Sequence, residues 1–315
     1  MNSIKQYIRD FKHPELLFRP MQLFYYSSRV KKPNLNEFEE IILPWKLKIK
    51  VRPDDYIGKT IWTMGLYDLC ICESIWRLLD IGESAIDVGA NIGQMTSLMA
   101  AKVGKQGKIL AFEPHPELYK ELLENVHNWA KKTEVALIDA QQIALSDNSS
   151  QRTLHIPNNF NHNRGRASLN PNYQHADVDE KSYQIQLRSL DTLLEKNENV
   201  GLIKLDVEGH ELQVLKGCQE LIKSDRIRDI IFEEQAECPY PTEITTFLES
   251  HGYSLFFFYK TTWSIEITTL KEARNKHKVK GYYNCLATKN PDRVLARFKY
   301  KGWTVLNFAP FEKNN

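Results

Sequence analysis

Ala85-Ile-Asp-Val-Gly-Ala-Asn-Ile-Gly93 is the stretch whose reading decides the fold. Ala85, Ile86 and Val88 form a short apolar run that ends in Gly89, Ala90, Asn91 and Gly93, small or turn-tolerant residues that let the backbone bend sharply and approach a ligand. Over residues 94–103 the apolar positions Met95, Leu98, Met99 and Val103 share one helical face. A helix starting there aims its free N–H groups back into the turn. Strand, turn and helix N-terminus together form a cradle for a nucleotide-type ligand.

The spacing and the next acid narrow the ligand. A dinucleotide fingerprint requires Gly-x-Gly-x-x-Gly, whereas this turn has only Gly89 and Gly93, with Asn91 where a second close-approach glycine would stand. Asp87, at the strand end, would repel a pyrophosphate and attract an ammonium group. A second strand, residues 108–112, closes on Glu113, about 20 residues beyond the turn, where a carboxylate can accept both hydroxyls of a ribose and disfavours a 2′-phosphate. A ligand with a ribose, a cationic amino-acid end and no phosphate meets these conditions, and S-adenosylmethionine is such a ligand. The candidate cofactor-binding residues are Asp87, Gly89, Ala90, Asn91, Gly93 and Glu113.

Asp87-Val-Gly-Ala-Asn-Ile-Gly93, Phe112-Glu-Pro114, Ala144-Leu-Ser-Asp147 and Ile203-Lys-Leu-Asp-Val-Glu-Gly-His-Glu211, taken together, resemble the FkbM family of S-adenosylmethionine-dependent methyltransferases. Asp55-Tyr-Ile-Gly58 and Gly65-Leu-Tyr67, with Glu73, resemble that family's lead-in. The resemblance runs in order from residue 56 to 234. It implies a class I methyltransferase with adenine held between Asp139 and Ala144. Relatives of this kind share the donor site and differ in acceptor, so the expectation is O-methylation of a hydroxyl on a sugar, glycan, lipid or natural-product acceptor.

Composition bounds the alternatives. With 315 residues, 42% of them hydrophobic and 26% charged, the chain can build a substantial core. Its 42 Lys and Arg against 40 Asp and Glu leave a net charge of +2, which calls for neither nucleic acid nor an anionic membrane. Cys70, Cys72, Cys218, Cys238 and Cys285 are odd in number and sit mostly in apolar runs, as expected of reduced thiols in a cytoplasmic protein. Cys70 and Cys72 have no second pair with which to hold zinc. The N-terminus lacks the apolar core of a signal peptide, and no apolar run is long enough to predict a transmembrane segment.

Three parts are expected: an N-terminal extension (1–55), a methyltransferase domain (56–290) and a C-terminal tail (291–315). The extension mixes Phe11, Phe18, Phe24, Tyr25, Tyr26 and Trp45 with basic residues and prolines, and reads as a loosely structured cover. It either packs on the domain or makes a homo-oligomer or membrane-surface contact. Helical spacing over residues 69–79 places Glu73 toward solvent or toward the cofactor. Pro114 and Pro116 start a helix over 116–129, and a third strand covers 135–138.

Residues 154–156 and 183–187 alternate like exposed strands and enclose a long polar stretch, 157–176, read as a lid or an unordered loop. Arg164, Arg166 and Ser168 are its candidate acceptor contacts, while His155, His162 and His175 lack metal-ligand spacing. A short helix at 191–195, a buried strand at 200–205, a helix carrying Leu212, Leu215 and Leu221, and a strand at 227–232 follow. A helix over 241–250 and strands at 253–259 and 282–287 complete the series, with 271–280 as a solvated basic linker. The series predicts an α/β fold: a doubly wound, mostly parallel seven-stranded sheet, Rossmann-like, with an N-terminal extension and a β insertion. The ligand belongs at the strands' carboxyl ends, where the strand order reverses.

Methyl transfer to a hydroxyl needs an aligned nucleophile and removal of its proton. Asp206, Glu208 and His210 are the candidate catalytic residues, with Asp206 or His210 as base. Strand alternation would bring all three to one side, if the strand persists past Gly209. Otherwise Glu208 and His210 cap the next helix. Asp206, Glu208 and Glu233 or Glu234 could also hold Mg²⁺. A nicotinamide-dependent oxidoreductase would need the missing glycine pattern, and a non-catalytic scaffold that retains the fold is the other alternative.

Overall fold

In the computed structural model, which describes residues 13–29, 37–156, 164–169, 181–235, 241–276 and 282–307, the chain opens with helices α1 (Pro14–Leu17) and α2 (Pro20–Arg29) and an antiparallel hairpin of β1 (Glu39–Ile42) and β2 (Lys48–Val51). Ile41, Leu43, Trp45, Leu47, Ile49 and Val51 fall on alternate positions and all six are buried. The loose cover expected here is therefore, over the described residues, an ordered hairpin built into the core. Its period of two runs through Pro44 and was masked by the aromatic and basic residues around it. Trp129 Nε1 donates to the Lys48 carbonyl at 2.6 Å, and Trp45 Nε1 to Ser97 Oγ at 2.9 Å.

Asp55 caps α3 (Tyr56–Met64) by accepting from the Gly58 N–H, and Asp68 caps α4 (Leu69–Leu78) by accepting from the Ile71 N–H. The central alternation follows: β3 (Ser84–Val88), α5 (Gln94–Val103), β4 (Lys108–Phe112), α6 (Pro116–Trp129) and β5 (Leu137–Gln141), the last starting two residues later than expected. The insertion is a three-stranded sheet of β6 (Ala144–Leu145), β7 (Ser150–His155) and β8 (Ser182–Arg188), in the order β6-β8-β7. A 3₁₀ turn, Leu190–Thr192, replaces the short helix expected at 191–195.

The chain re-enters the main sheet with β9 (Val200–Leu205), buried along its whole length. Two short helices come next, α7 (Glu211–Lys216) and α8 (Gln219–Lys223), where one had been expected. Then come β10 (Ile227–Gln235), α9 (Glu243–Ser250), β11 (Ser254–Lys260), β12 (Ile265–Thr269), α10 (Leu270–Lys276), β13 (Tyr282–Thr288) and α11 (Pro291–Phe298). The described part of the expected linker at 271–280 is thus helical. The main sheet has eight strands in the order β12-β11-β13-β10-β9-β3-β4-β5. Strands β10, β9, β3, β4 and β5 are mutually parallel, and β13 runs antiparallel between β10 and β11. This is the expected doubly wound sheet with one more edge strand, β12, whose Ile265 and Ile267 alternate. The order reverses between β3 and β9, which opens a crevice at their carboxyl ends.

Residues beyond β13 pack back onto α4. Glu73 has no solvent exposure and accepts from Arg77 Nε at 2.7 Å, from the Thr304 N–H and hydroxyl at 3.0 and 2.7 Å, and from the Val305 N–H at 2.8 Å. Arg77 in turn donates to the carbonyls of Arg297, Tyr300 and Gly302. Glu73 therefore faces neither solvent nor cofactor. It fastens the segment after α11, and the adjacent guanidinium compensates its buried charge.

Candidate active site

The turn after β3 is held from two sides. The N–H groups of Gly89 and Ala90 both donate to the Phe112 carbonyl at 3.0 Å, and the Asn91 N–H donates to Glu113 Oε2 at 2.8 Å. Asn91 adopts φ +52°, a left-handed conformation that asparagine tolerates, and its Oδ1 accepts from the Ile92 N–H. The glycines are required by the chain's own packing. At Gly89, φ +76°, a Cβ would stand 1.9 Å from the Asp206 carbonyl oxygen; at Gly93, φ +93°, it would stand 2.6 Å from Leu122 Cδ1 and 2.9 Å from Trp129 Cη2. One glycine lets β9 approach the turn and the other lets α6 pack on α5.

A cavity of about 190 Å³ opens at the carboxyl ends of β3, β4, β9 and β10, roughly ten times the space an ordered water needs. Gly89, Ala90, Asn91 and Glu113 line it, together with the apolar Leu118, Ile143, Ala144 and Leu145, which include part of the segment expected near adenine. Glu113 is buried, with its second oxygen accepting from the His115 N–H at 2.9 Å. Burial pushes its pKa up to about 7, against the opposing pull of those two N–H donors. Burial likewise lowers His115 to about 4. A neutral ring fits its geometry, since Nδ1 accepts from the N–H groups of Glu117 and Leu118 at the start of α6.

Asp87 and Gly93 lie outside this lining. Asp87, fully buried, accepts from Thr96 Oγ1 at 2.6 Å and lies 3.3 Å from Lys204 Nζ. The ammonium that the Asp87 position calls for is thus supplied by the chain itself. Lys204 also reaches Asp206 Oδ2 at 3.4 Å and donates to the Gly89 carbonyl at 2.9 Å. Burial works against its charge, but the Asp87 and Asp206 carboxylates outweigh it and raise its pKa. The sequence reading assigned Lys204 no role. Its signal is a single lysine inside Val200-Gly-Leu-Ile-Lys-Leu205, a strand buried on both faces, where a cation requires carboxylate partners.

Tyr67, Asp68, Asp206, Glu208, His210 and Glu233 line the same cavity. Strand geometry does not persist, because β9 stops at Leu205 and Glu208 turns left-handed at φ +51°. The turn nevertheless brings Asp206, Glu208 and His210 to one cavity. His210 precedes α7 without capping it through its side chain; Nε2 lies 3.0 Å from Ser146 Oγ, and burial lowers its pKa. Glu211 serves the turn, accepting from the N–H groups of Val207 and Gly209. Asp68 accepts from Ile71 N–H and Asn284 Nδ2.

Glu233 faces the cavity, whereas Glu234 accepts from Thr242 Oγ1 at 2.6 Å. Among the described residues no three His, Cys, Asp or Glu side chains are grouped to hold a metal ion. The insertion covers the cavity. Arg164, buried and in the lining, donates its N–H to Asp55 and Nη1 to Glu121 Oε1 at 2.8 Å, while Nη2 makes no hydrogen bond. Ser168 Oγ donates to the Glu208 carbonyl at 2.9 Å, and His155 pairs with Ser168 through the backbone. The Arg166 side chain, His162 and His175 lie outside the described residues.

The doubly wound, mostly parallel sheet is the Rossmann-like class I methyltransferase fold. Residues 87–255 match the methyltransferase FkbM domain, and the chain belongs to that family. It is 30% identical over 227 residues to methyltransferase sdnD of Sordaria araneosa, covering 64% of this chain and 82% of that protein. It is 28% identical over 199 residues to the hexuronic acid methyltransferase AglP of Haloferax volcanii, covering 56% and 72%. A crystal structure of an FkbM methyltransferase from Methylobacillus flagellatus KT aligns with a TM-score of 0.40 at 16% identity, over 65% of this chain and 43% of that one. Among the described residues no helix is long and apolar enough to cross a membrane.

Proposed function

We propose that the protein is an S-adenosylmethionine-dependent O-methyltransferase acting on a hydroxyl of a sugar, glycan, lipid or natural-product acceptor. The observation that carries this reading is one cavity lined both by Glu113, a carboxylate with acceptor capacity to spare, and by Asp206, Glu208 and His210. The donor fits the residues present. Glu113 spends one lone pair per oxygen on a backbone N–H and keeps the others for ribose hydroxyls. Arg164, buried in the lining, has an Nη2 that among the described residues makes no hydrogen bond, its ion-pair contact being Glu117 at 3.9 Å. When bound, S-adenosylmethionine supplies a methyl group on a sulfonium, open to direct displacement. Gly89, Ala90 and Asn91 hold its amino-acid and ribose portions, with Asp87 and Gly93 behind them as supports, and the apolar lining residues take the adenine. Asp206, Glu208 and His210 orient the acceptor.

A relative described as a hexuronic acid methyltransferase supports a sugar-type acceptor. The four described cysteines are free thiols, in keeping with a cytoplasmic location. The test is thermal unfolding with S-adenosylmethionine or S-adenosylhomocysteine, with NAD as control. A ligand at about 100 times its dissociation constant adds about 2.7 kcal/mol. A raised midpoint with the methionine-derived ligands alone is expected; none with either would remove the reading.

A further inference from the structure

We infer that Glu233 is the group that takes the proton from the acceptor hydroxyl. The inference rests on the methyl-transfer reading above and deepens it. Glu233 lies on β10 one residue beyond Phe232, which pairs with Leu205, so it stands level with Asp206 at the carboxyl edge of the sheet. Ile231 and Glu233, two residues apart, share the strand face that lines the cavity.

The other carboxyls around the cavity are already engaged. Glu113 holds two backbone N–H groups, Asp68 holds Ile71 N–H and Asn284, Asp206 faces the Lys204 ammonium, and Glu208 also has partners. Among the described residues the Glu233 carboxyl makes no hydrogen bond and no ion pair. It is the lining carboxyl with both oxygens left for a substrate.

The alternatives are engaged elsewhere. Asp206 is held 3.4 Å from the Lys204 ammonium, and His210 has Nε2 against Ser146 with burial lowering its proton affinity. The groups that face Glu233 are acidic: Asp206, Glu208 and Glu211 from the turn after β9, and Asp68 from the start of α4, with the Tyr67 phenol in the same lining. Burial first, and these like charges second, push the Glu233 carboxyl up to about 8. A carboxylate that holds a proton this well is matched to general-base work near neutral pH.

The step balances. The acceptor O–H bond breaks and its proton goes to a Glu233 oxygen. An electron pair on the hydroxyl oxygen forms the new bond to the methyl carbon. The methyl–sulfur bond breaks and its pair stays on sulfur, so a methyl ether, a thioether and a carboxylic acid remain. The positive charge on sulfur and the negative charge on Glu233 disappear together, a change that a cavity shielded from water favours.

The test uses the full chain. Carboxyl ¹³C resonances of glutamate-labelled protein are followed against pH, with Glu233→Gln assigning the signal. Binding of S-adenosylhomocysteine is measured by calorimetry in wild type, Glu233→Gln and Glu233→Asp. Turnover is read as S-adenosylhomocysteine released with neutral methyl glycosides as probes. The Glu233 signal should titrate near 8. Glu233→Gln should bind S-adenosylhomocysteine as wild type does and lose about 10²- to 10⁴-fold in kcat, with Glu233→Asp partly restoring it. A Glu233 signal titrating in the ordinary carboxylate range overturns the inference whether or not any glycoside is turned over. Wild-type kcat in Glu233→Gln, or loss of S-adenosylhomocysteine binding in that variant alone, also overturns it. Failure of the wild type to bind S-adenosylhomocysteine removes the methyl-transfer reading instead, and is thereby told apart.

Discussion

Lys204 Nζ lies 3.3 Å from Oδ1 of Asp87, a carboxylate with no exposure to solvent. The same ammonium holds the Gly89 carbonyl and faces Asp206, so one side chain joins the turn after β3 to the residue that follows β9.

Replacing it should be costly. Lys204→Met leaves Asp87 buried without its counter-charge and should destabilise the protein by about 3–5 kcal/mol. Adding Asp87→Asn should return part of that loss, because the two residues share one interaction. Urea unfolding of both single variants and the double variant measures it; strict additivity would show that the pair does not interact.

Glu113 should make the free protein less stable as pH rises. Its carboxyl titrates near 7 when folded against an ordinary value of 4.5, so between these values the folded chain binds more protons than the unfolded one. The stabilisation is fully present below 4.5 and is lost by pH 7, a change on the order of 3 kcal/mol that Glu113→Gln should flatten. Ribose hydroxyls need the carboxylate form, so S-adenosylhomocysteine should bind more tightly as pH rises through 7, with proton release. Calorimetry in buffers of different ionisation enthalpy reads that release directly.

The donor and acceptor roles should separate by mutation. Glu113→Ala removes an acceptor for two hydroxyls and should weaken S-adenosylhomocysteine binding by about 10- to 100-fold. Asp206→Ala should leave that binding near wild type and lower turnover instead. Equal losses of binding in the two variants would refute the division of roles.

Glu73→Ala should release the segment after α11. The variant leaves Arg77 buried without its carboxylate and takes the acceptor away from Thr304 and Val305, at an expected cost of about 3–5 kcal/mol. Hydrogen exchange at those two amides reports it locally; unchanged protection there would mean that the segment is held by other contacts.

The centre of this molecule was legible because its signals are local. The helices over 94–103 and 116–129 and the strand over 200–205 coincide with the reading, since apolar period, prolines and glycines all act within a few residues. What escaped depends on distant partners. Lys204 becomes intelligible only when the fold brings it to Asp87 and to Gly89, 115 positions away. Glu73 gave no hint of its attachment to Thr304, 231 positions on. Glu233 entered the reading only as a candidate metal ligand, because nothing near it in sequence reveals that, among the described residues, the neighbouring carboxyls find partners and it does not. The hairpin of β1 and β2 is a different case: its period of two is present from Ile41 to Val51 and was outweighed by composition.

The close contact of Gly89 with the Asp206 carbonyl, bolted by Lys204, turns the cavity into a ruler. The turn after β3 and the end of β9 cannot slide against each other without breaking that contact, so on the proposed function the depth at which an acceptor must present its hydroxyl would be fixed by backbone. Under the proposed methyl transfer, acceptors of different size would then differ only in what projects outward beneath the insertion, a long chain and a single ring being measured from the same mark.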